Sequence, residues 1–200
     1  MTTPEQLRVR DGTVTVPTRP PPDLRRGRAR ADGWGCVLLS TTVEVMAGTF
    51  AAAGIRHAFG VPGSGALLDL IDALERFGIR FVLTTHETAA GFAASATGEL
   101  TGRPGLCLST NGPGATNVVS GLAYAHLEYA PLVSVTNRFP HSTGEMTRTL
   151  NVNHQDLFSS LVKWQADVGS ESAWYASRRA LQVALAERPG PVQLNLPHDE

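Results

Sequence analysis

The stretch Thr84-Thr-His-Glu-Thr-Ala-Ala-Gly-Phe-Ala-Ala94 joins an extended apolar run, Arg80-Phe-Val-Leu-Thr84, to an alanine-rich helical pattern. Glu87 therefore falls in the first turn of a predicted helix, beside the carboxyl end of a predicted strand. Two interpretations of its carboxylate stay open. Thr84-x-x-Glu87 has the spacing of a capping box, which taken alone is the commoner role for such a glutamate. A carboxylate at this edge of a sheet can also perform acid–base chemistry on a ligand.

Two glycine-rich turns flank this carboxylate in the sequence. The first is Phe59-Gly-Val-Pro-Gly-Ser-Gly65, and the second is Thr110-Asn-Gly-Pro-Gly-Ala-Thr-Asn117, which follows an apolar run, Gly105-Leu-Cys-Leu-Ser109. Glycine at a strand-to-helix turn allows a ligand to lie against the main chain. Ligands of open α/β sheets bind at the carboxyl ends of the strands. We therefore expect three successive strands to present a loop, a carboxylate and a loop to one crevice.

Helical and extended patterns alternate from Ser40 onward, and Ser40 is the expected cap of the first helix. Repeated βα units with short turns predict an α/β fold, a doubly wound parallel sheet with helices on both faces. The predicted helices are 40–53, 64–77, 87–100, 115–128, 155–160 and 171–187, the predicted strands are 57–60, 80–84, 105–109, 131–136, 162–168 and 192–196, and a longer polar loop covers 137–153.

Six motifs follow one another in this chain: Phe59-Gly-Val-Pro-Gly63, His86-Glu87, Ala94-x-x-Thr-Gly98, Thr101-Gly-Arg-Pro-Gly105, Asn111-Gly-Pro-Gly-Ala-Thr-Asn117 and Gly190-Pro-Val-x-Leu-x-Leu-Pro197. Their order and spacing resemble the pyrimidine-binding (PYR) domain of thiamine diphosphate-dependent enzymes, in its acetolactate synthase-like branch. The resemblance runs from about Leu39 to Asp199. It specifies the family because it rests on all the motifs together.

The resemblance implies thiamine diphosphate as cofactor, with Glu87 hydrogen-bonded to the ring nitrogen of its aminopyrimidine. A carboxyl beside that nitrogen favours the imino tautomer of the 4′-amino group, which is a base strong enough to take the thiazolium proton. The implied reaction is decarboxylation of a 2-oxo acid and ligation of the carbanion to an acceptor. Simple decarboxylation and a non-catalytic interaction protein are the alternatives. The implied cofactor-binding residues are Val61, Pro62, Gly63, Glu87, Asn111, Gly112, Pro113, Gly114 and Asn117.

The segment from Asn137 to Lys163 departs from the family pattern, because the usual Phe-Gln-Glu cannot be placed. His154 and Gln155 are candidates for the substrate site, and a solvated polar pair at a helix N-terminus is an equal alternative. His86 is a third candidate, either to orient Glu87 or to face the substrate, and retention by local hydrogen bonds is equally open for it. The identity of the 2-oxo acid therefore stays open.

Composition narrows the classes of protein. The chain has 200 residues, 42% of them hydrophobic, which is enough for one sizeable core. A net charge of -1 gives no electrostatic footprint for nucleic acid or an anionic membrane. Apolar runs fall short of the roughly 18 residues of a spanning helix. Cys36 and Cys107 are too few and too far apart in sequence to suggest a zinc site or a disulfide framework, so we expect no metal site in this chain and a reducing, cytoplasmic location.

Residues 1–36 differ in composition from the rest of the chain. The segment Thr18 to Asp32 joins three prolines to five arginines and has little apolar content, which is typical of a disordered segment. The sequence therefore predicts a flexible arm over 1–36 and a PYR domain over 37–200. A Rossmann-type nucleotide site is disfavoured, because Leu68 stands where the third glycine of that fingerprint belongs.

Complete enzymes of this family also need a pyrophosphate-binding (PP) domain, marked by Gly-Asp-Gly followed later by Asn. The 200 residues contain no Gly-Asp-Gly. We therefore expect a split, two-component enzyme, in which a PP-domain subunit holds Mg²⁺ and the diphosphate. Two PYR–PP pairs are expected to form a heterotetramer.

Overall fold

The computed structural model describes residues 41–140 and 149–197. The predicted arm, the predicted cap Ser40 and the middle of the 137–153 loop lie outside the described residues. The helices are α1 Thr42–Ala52, α2 Ala66–Arg76, α3 Glu87–Thr101, α4 Pro113–Asn117, α5 Val119–Leu127, α6 His154–Phe158 and α7 Ala173–Leu185. The strands are β1 His57–Gly60, β2 Arg80–Leu83, β3 Gly105–Ser109, β4 Leu132–Arg138, β5 Gln165–Asp167 and β6 Pro191–Pro197.

These strands form one sheet in the order β2-β1-β3-β4-β6-β5, and every neighbouring pair is parallel. Parallel neighbours need crossover connections, which place the helices on the two faces of the sheet. The predicted fold class is therefore confirmed. The strand order reverses at β1, which has β2 on one side and β3 on the other. Such a reversal opens a crevice at the carboxyl ends of the strands.

Buried side chains pack on both faces of the sheet. Along β3, Leu106 and Leu108 belong to one apolar cluster, whereas Cys107 between them belongs to the other. This alternation follows from the two-residue period of a strand. Helices α1, α2 and α7 cover the first face, and α3, α4, α5 and α6 cover the second. Both faces of the sheet are therefore occupied, as a doubly wound fold requires.

The first helix begins with a capping box. The Thr41 hydroxyl accepts the Glu44 backbone N–H at 3.3 Å, and the Glu44 carboxylate accepts the Thr41 N–H at 3.1 Å. Each group satisfies a helix-end donor that has no intrahelical partner. Thr41 therefore caps α1, one residue after the predicted cap.

Helices α3 and α5 cross without a side chain between them. A Cβ built on Gly91 would lie 2.8 Å from the Cα of Gly121, and one built on Gly121 would lie 2.5 Å from the Cα of Gly91. Carbon atoms cannot approach that closely, so any larger residue at either position must push the helices apart. This contact fixes the start of α3 relative to the start of α5.

Two predicted elements differ from the structure. The single helix predicted over 115–128 is wrong, because Val118 separates α4 from α5. The strand predicted over 162–168 is reduced to β5. Lys163 and Trp164 nevertheless continue the pairing with β6, through a bond from the Lys163 N–H to the Pro191 carbonyl at 2.9 Å.

Candidate active site

Three loops open at the carboxyl ends of neighbouring strands. Residues 84–86 follow β2, residues 61–65 follow β1 and residues 110–112 follow β3. The β1 loop lies between the other two because β1 is the middle strand. This arrangement agrees with the prediction that a carboxylate and two glycine-rich loops meet at one crevice.

The loops after β1 and β3 meet at Thr110. A Cβ on Gly63 would lie 2.5 Å from the Cβ and the Oγ1 of Thr110, and one on Gly114 would lie 2.8 Å from the Thr110 Cγ2. Both positions therefore require glycine for close approach. The glycines therefore allow both loops to pack against one threonine.

Glu87 lies at the start of α3 and is 8% exposed. Its Oε2 accepts a hydrogen bond from the Asn117 side-chain amide at 3.0 Å. Its Oε1 faces Gly114, where a Cβ would stand 3.4 Å away. Within 41–140 and 149–197, the structure gives Oε1 no hydrogen-bond donor.

The capping-box interpretation of Glu87 is wrong. The N-cap of α3 is His86, whose Nδ1 accepts the Thr88 backbone N–H at 3.2 Å. Thr84 instead donates its hydroxyl to the His86 carbonyl at 3.0 Å. Glu87 is consequently the first helical residue, and its carboxylate reaches a side chain of the neighbouring α4 rather than a backbone N–H.

The same contacts bear on His86, which is a candidate for the substrate site. Its ring is exposed, and one ring nitrogen is committed to the helix cap. Retention by a local hydrogen bond, the alternative left open by the sequence, is therefore confirmed for Nδ1. A contact between His86 and substrate stays a prediction.

Cys107 lies in the buried centre of β3, near Glu87. Burial raises the pKa of the Cys107 thiol to about 12, and the Glu87 charge adds to the rise. The thiol therefore stays protonated at physiological pH. A protonated, buried thiol is unreactive and contributes packing.

The other predicted cofactor residues lie in the same two loops. Asn111 is buried, and its Oδ1 accepts the Thr110 hydroxyl at 3.1 Å. Prolines of both loops are exposed, and two glycines of the β3 loop are buried. The remaining predicted residues are Val61, which is half-buried, Pro62 and Pro113, which are exposed, and Gly112 and Gly114, which are buried.

Asn137 also belongs to this edge of the sheet, although the sequence did not indicate it. Its side-chain amide donates to the carbonyl of Ser64, in the β1 loop. The predicted strand ends at 136, one residue too early to place Asn137 at the carboxyl edge. The extension of β4 to Arg138, which places Asn137 at this edge, is visible only in the pairing of β4 with β6.

His154 is buried rather than solvated, with 5% of its surface exposed. Its Nδ1 lies 3.1 Å from the Asn195 Oδ1, and its ring meets that of Phe158 edge-on at 5.7 Å. Burial lowers the pKa of His154, so the ring is neutral near pH 7. The solvated alternative is wrong for His154 but describes Gln155, which is exposed. A substrate role for either residue stays a prediction.

The His154 contact continues into a chain of polar groups. Asn195 donates its amide to Asp167 Oδ1 at 3.0 Å, and the Arg138 guanidinium contacts Asp167 Oδ2 at 2.6 Å. The Gln193 amide also donates to Asn195 Oδ1 at 3.2 Å. These groups join the carboxyl ends of β6, β5 and β4. Sequence analysis missed them because the partners are far apart along the chain.

Two kinds of feature are not found in the described part of the chain. It holds no group of three or more histidine, cysteine, aspartate or glutamate side chains placed to bind a metal ion. None of its helices is both long and apolar enough to cross a membrane.

Residues 40–157 match the family described as "Thiamine pyrophosphate enzyme, N-terminal TPP binding domain". The chain belongs to this family. Its curated relatives include a "Probable acetolactate synthase large subunit" of Methanocaldococcus jannaschii, 36% identical over 149 residues, which are 74% of this chain and 25% of that protein.

Two other relatives show similar identity. Acetolactate synthase isozyme 2 large subunit of Escherichia coli is 36% identical over 149 residues, covering 74% of this chain and 27% of that protein. The mitochondrial acetolactate synthase of Schizosaccharomyces pombe is 37% identical over 148 residues, covering 72% and 22%. The chain thus spans about a quarter of the length of the curated relatives it matches. The resemblance inferred from the motifs is confirmed.

The residues present fit the pyrimidine end of thiamine pyrophosphate. A buried carboxylate, held through one oxygen, presents the other oxygen beside Gly114, where no side chain intervenes. A ring nitrogen needs one such acceptor or proton-sharing group. In contrast, the described residues hold no group of three or more His, Cys, Asp or Glu side chains placed for the metal ion that accompanies the diphosphate.

Proposed function

We propose that this chain forms the pyrimidine-binding half of the active site of an acetolactate synthase-like enzyme. The enzyme decarboxylates a 2-oxo acid and ligates the resulting carbanion to an acceptor. The observation that carries the proposal is the Glu87 carboxylate, which is buried, is held by Asn117 through Oε2 and has its Oε1 beside the glycine at position 114. Acetolactate synthase relatives at about 36% identity support the reaction class.

Each residue of the site has a separate task in this proposal. Glu87 holds or shares a proton with the aminopyrimidine ring nitrogen, which is the acid–base step that this chain contributes. The loops around Gly63 and Gly114 bring main-chain atoms against the ring and position it. When bound, thiamine diphosphate would supply the electron sink that decarboxylation requires. The residues proposed to contact the cofactor are Val61, Pro62, Gly63, Glu87, Asn111, Gly112, Pro113 and Gly114.

The diphosphate half of the site is proposed to come from a PP domain beyond these 200 residues. Mg²⁺ binds through carboxylates together with phosphate oxygens, and the described residues offer no such cluster. The curated relatives are about four times as long as the matched segment, which leaves ample chain for a PP domain. In the arrangement that we propose, the PP domain is a separate subunit, and two pairs assemble with twofold symmetry.

The experiment that tests this function is Glu87→Gln in the enzyme assembled with its PP domain. The substitution keeps the size of the side chain and its hydrogen-bonding capacity but removes the acid. We expect turnover to fall by roughly a hundredfold or more, the scale of acid–base catalysis. Turnover should be measured as carbon dioxide release, and ligation should be measured as the condensed product, because the two readouts separate a carboligase from a simple decarboxylase.

The thermal midpoint of the same variant serves as its control. Asn117 can still donate to the side-chain carbonyl oxygen of the introduced glutamine, so we expect Tm to change little. Near-normal turnover in a folded variant would remove Glu87 from the reaction and contradict the proposed function.

A further inference from the structure

We infer that Asn117 is a positioning residue, which acts on the cofactor through Glu87 instead of contacting the cofactor itself. The inference rests on the proposed function and refines the cofactor contact that the resemblance implies for Asn117. Its side-chain amide holds Oε2 of Glu87 at 3.0 Å. The other carboxylate oxygen, Oε1, is thereby selected as the one that meets the ring nitrogen.

The chemistry of the pair fixes the orientation of the Asn117 side chain. An ionised carboxylate only accepts hydrogen bonds, so the amide must turn its NH₂ group, and not its oxygen, toward Glu87. A hydrogen bond to a charged acceptor is about twice as strong as one between neutral groups. The contact therefore restrains rotation of the carboxylate about its last torsion, which is otherwise broad.

The backbone of Asn117 is held independently of its side chain. Helix α4 ends at Asn117, and carbonyls at the end of a helix lack intrahelical partners. The Thr88 hydroxyl donates to the Asn117 carbonyl at 2.6 Å. Two consecutive residues of α3, Glu87 and Thr88, thus bind the same residue of α4. Removal of the Asn117 side chain leaves the Thr88 bond in place, so the main chain keeps its anchor.

The environment of the carboxylate assigns different tasks to its two oxygens. Oε2 is covered by the Asn117 amide, whereas Oε1 borders Gly114, which has no side chain. The residues that the structure describes provide Oε1 with no donor. A ligand nitrogen that meets Oε1 therefore does not compete with the Asn117 amide, whereas one that meets Oε2 must share this oxygen with it.

The test compares two probes on the assembled enzyme, with affinity measured by calorimetry. One probe is thiamine diphosphate, and the other is the analogue in which carbon replaces the pyrimidine ring nitrogen that faces the carboxylate. Asn117→Ala removes the donor, and Asn117→Asp keeps the shape while replacing the donor with an acceptor. We expect both variants to bind thiamine diphosphate about tenfold more weakly, the scale of one hydrogen bond to a charged group. Their affinity for the carbon analogue should stay within about twofold of wild type, since that probe has no nitrogen for Glu87 to meet.

Thr88→Val provides the matched control. It removes the other bond between α3 and Asn117 without altering the donor to Glu87, so any loss of affinity should be the same for both probes. Thermal midpoints of all variants establish that they are folded, and Asn117→Asp carries the test if Asn117→Ala unfolds.

Equal losses for the two probes in the Asn117 variants would overturn the inference, because they would indicate direct contact or a purely structural role. If the wild-type enzyme binds the two probes with equal affinity, Glu87 does not meet the ring nitrogen. In that case the proposed function fails together with the inference.

Discussion

The carboxyl edge of the sheet consists of two unlike halves. The glycine half comprises the loops after β2, β1 and β3, where Gly63 and Gly114 pack on Thr110 and one carboxylate stands at the crevice. The network half comprises the ends of β4, β6 and β5, where His154, Asn195 and their partners form a chain of polar side chains. The first half is shaped by the absence of side chains, and the second is shaped by their hydrogen bonds.

This difference determines how each half responds to change. Gly63 and Gly114 lie so close to the Thr110 side chain that no added atom fits, so the glycine half should be sensitive to a single methyl group. Buried polar groups are costly when they lose a partner, so the network half should be sensitive to deletion instead. The glycine half should therefore lose stability when atoms are added, and the network half should lose stability when atoms are removed.

The largest loss of stability is expected for Asn195→Ala in the network half. It leaves His154 Nδ1, Asp167 Oδ1 and the Gln193 amide without their shared partner. We expect the free energy of unfolding to fall by about 3 kcal/mol, since an unpaired buried polar group costs about 1–3 kcal/mol. Urea denaturation measures it. Gln155→Ala, on the exposed side of α6, is the control and should stay within about 0.5 kcal/mol. Similar values for the two variants would contradict the comparison.

A smaller loss is expected for Gly114→Ala in the glycine half. The new methyl group would lie 2.8 Å from the Thr110 Cγ2, and overpacking of this kind costs about 1–3 kcal/mol. Thr110→Ser removes that Cγ2, so the double variant should recover most of the lost thermal stability. The methyl group would still stand 3.4 Å from Oε1 of Glu87.

Cofactor affinity of the double variant sharpens this prediction. If Oε1 is the oxygen that meets the ring, thiamine diphosphate should bind the assembled double variant more weakly than it binds wild type, although stability is restored. Full recovery of both stability and affinity would show that the space beside Gly114 is not used by the ligand.

The smallest effect concerns pH and His154. Burial lowers the pKa of the folded-state imidazole below its ordinary value of 6.5, despite the opposing hydrogen bond to Asn195. The unfolded chain therefore binds the proton more readily, so this contribution to stability is present above pH 6.5 and is lost as pH falls toward the folded-state pKa. The free energy of unfolding, measured with urea at several pH values, should decline on acidification. His154 should add to this decline at most the slope that corresponds to uptake of about one proton. His154→Gln should lack that component, and an equally steep decline in this variant would assign it to other groups.

Sequence reasoning succeeded where the constraint is local. Strands β1 and β3 have the predicted bounds, because each is a short apolar run that ends at a glycine or polar turn. The break at Val118 was not predictable, since the apolar pattern continues across it. The carbonyl freed at that break is satisfied by Thr88, 29 residues earlier in the chain.

The burial of His154 was hidden for a similar reason. Its partner Asn195 lies 41 residues later, on β6, which pairs with both β4 and β5. The Arg138–Asp167 contact spans 29 residues. No short window of sequence contains both members of such pairs, so the network half became visible only when the strand order was known.

The crossing of α3 and α5 can also be considered as a pivot. Gly91 lies four residues after Glu87, one helical turn or about 6 Å along the axis. On so short a lever arm, a rotation of about 10° at the pivot would move the first turn of α3 by only about 1 Å. Asn117 ends α4, which Val118 separates from α5, so it is not carried on the helix that contains Gly121. The close approach of Gly91 and Gly121 therefore keeps the Glu87 end of α3 near its place in the crevice even when α3 tilts at the crossing.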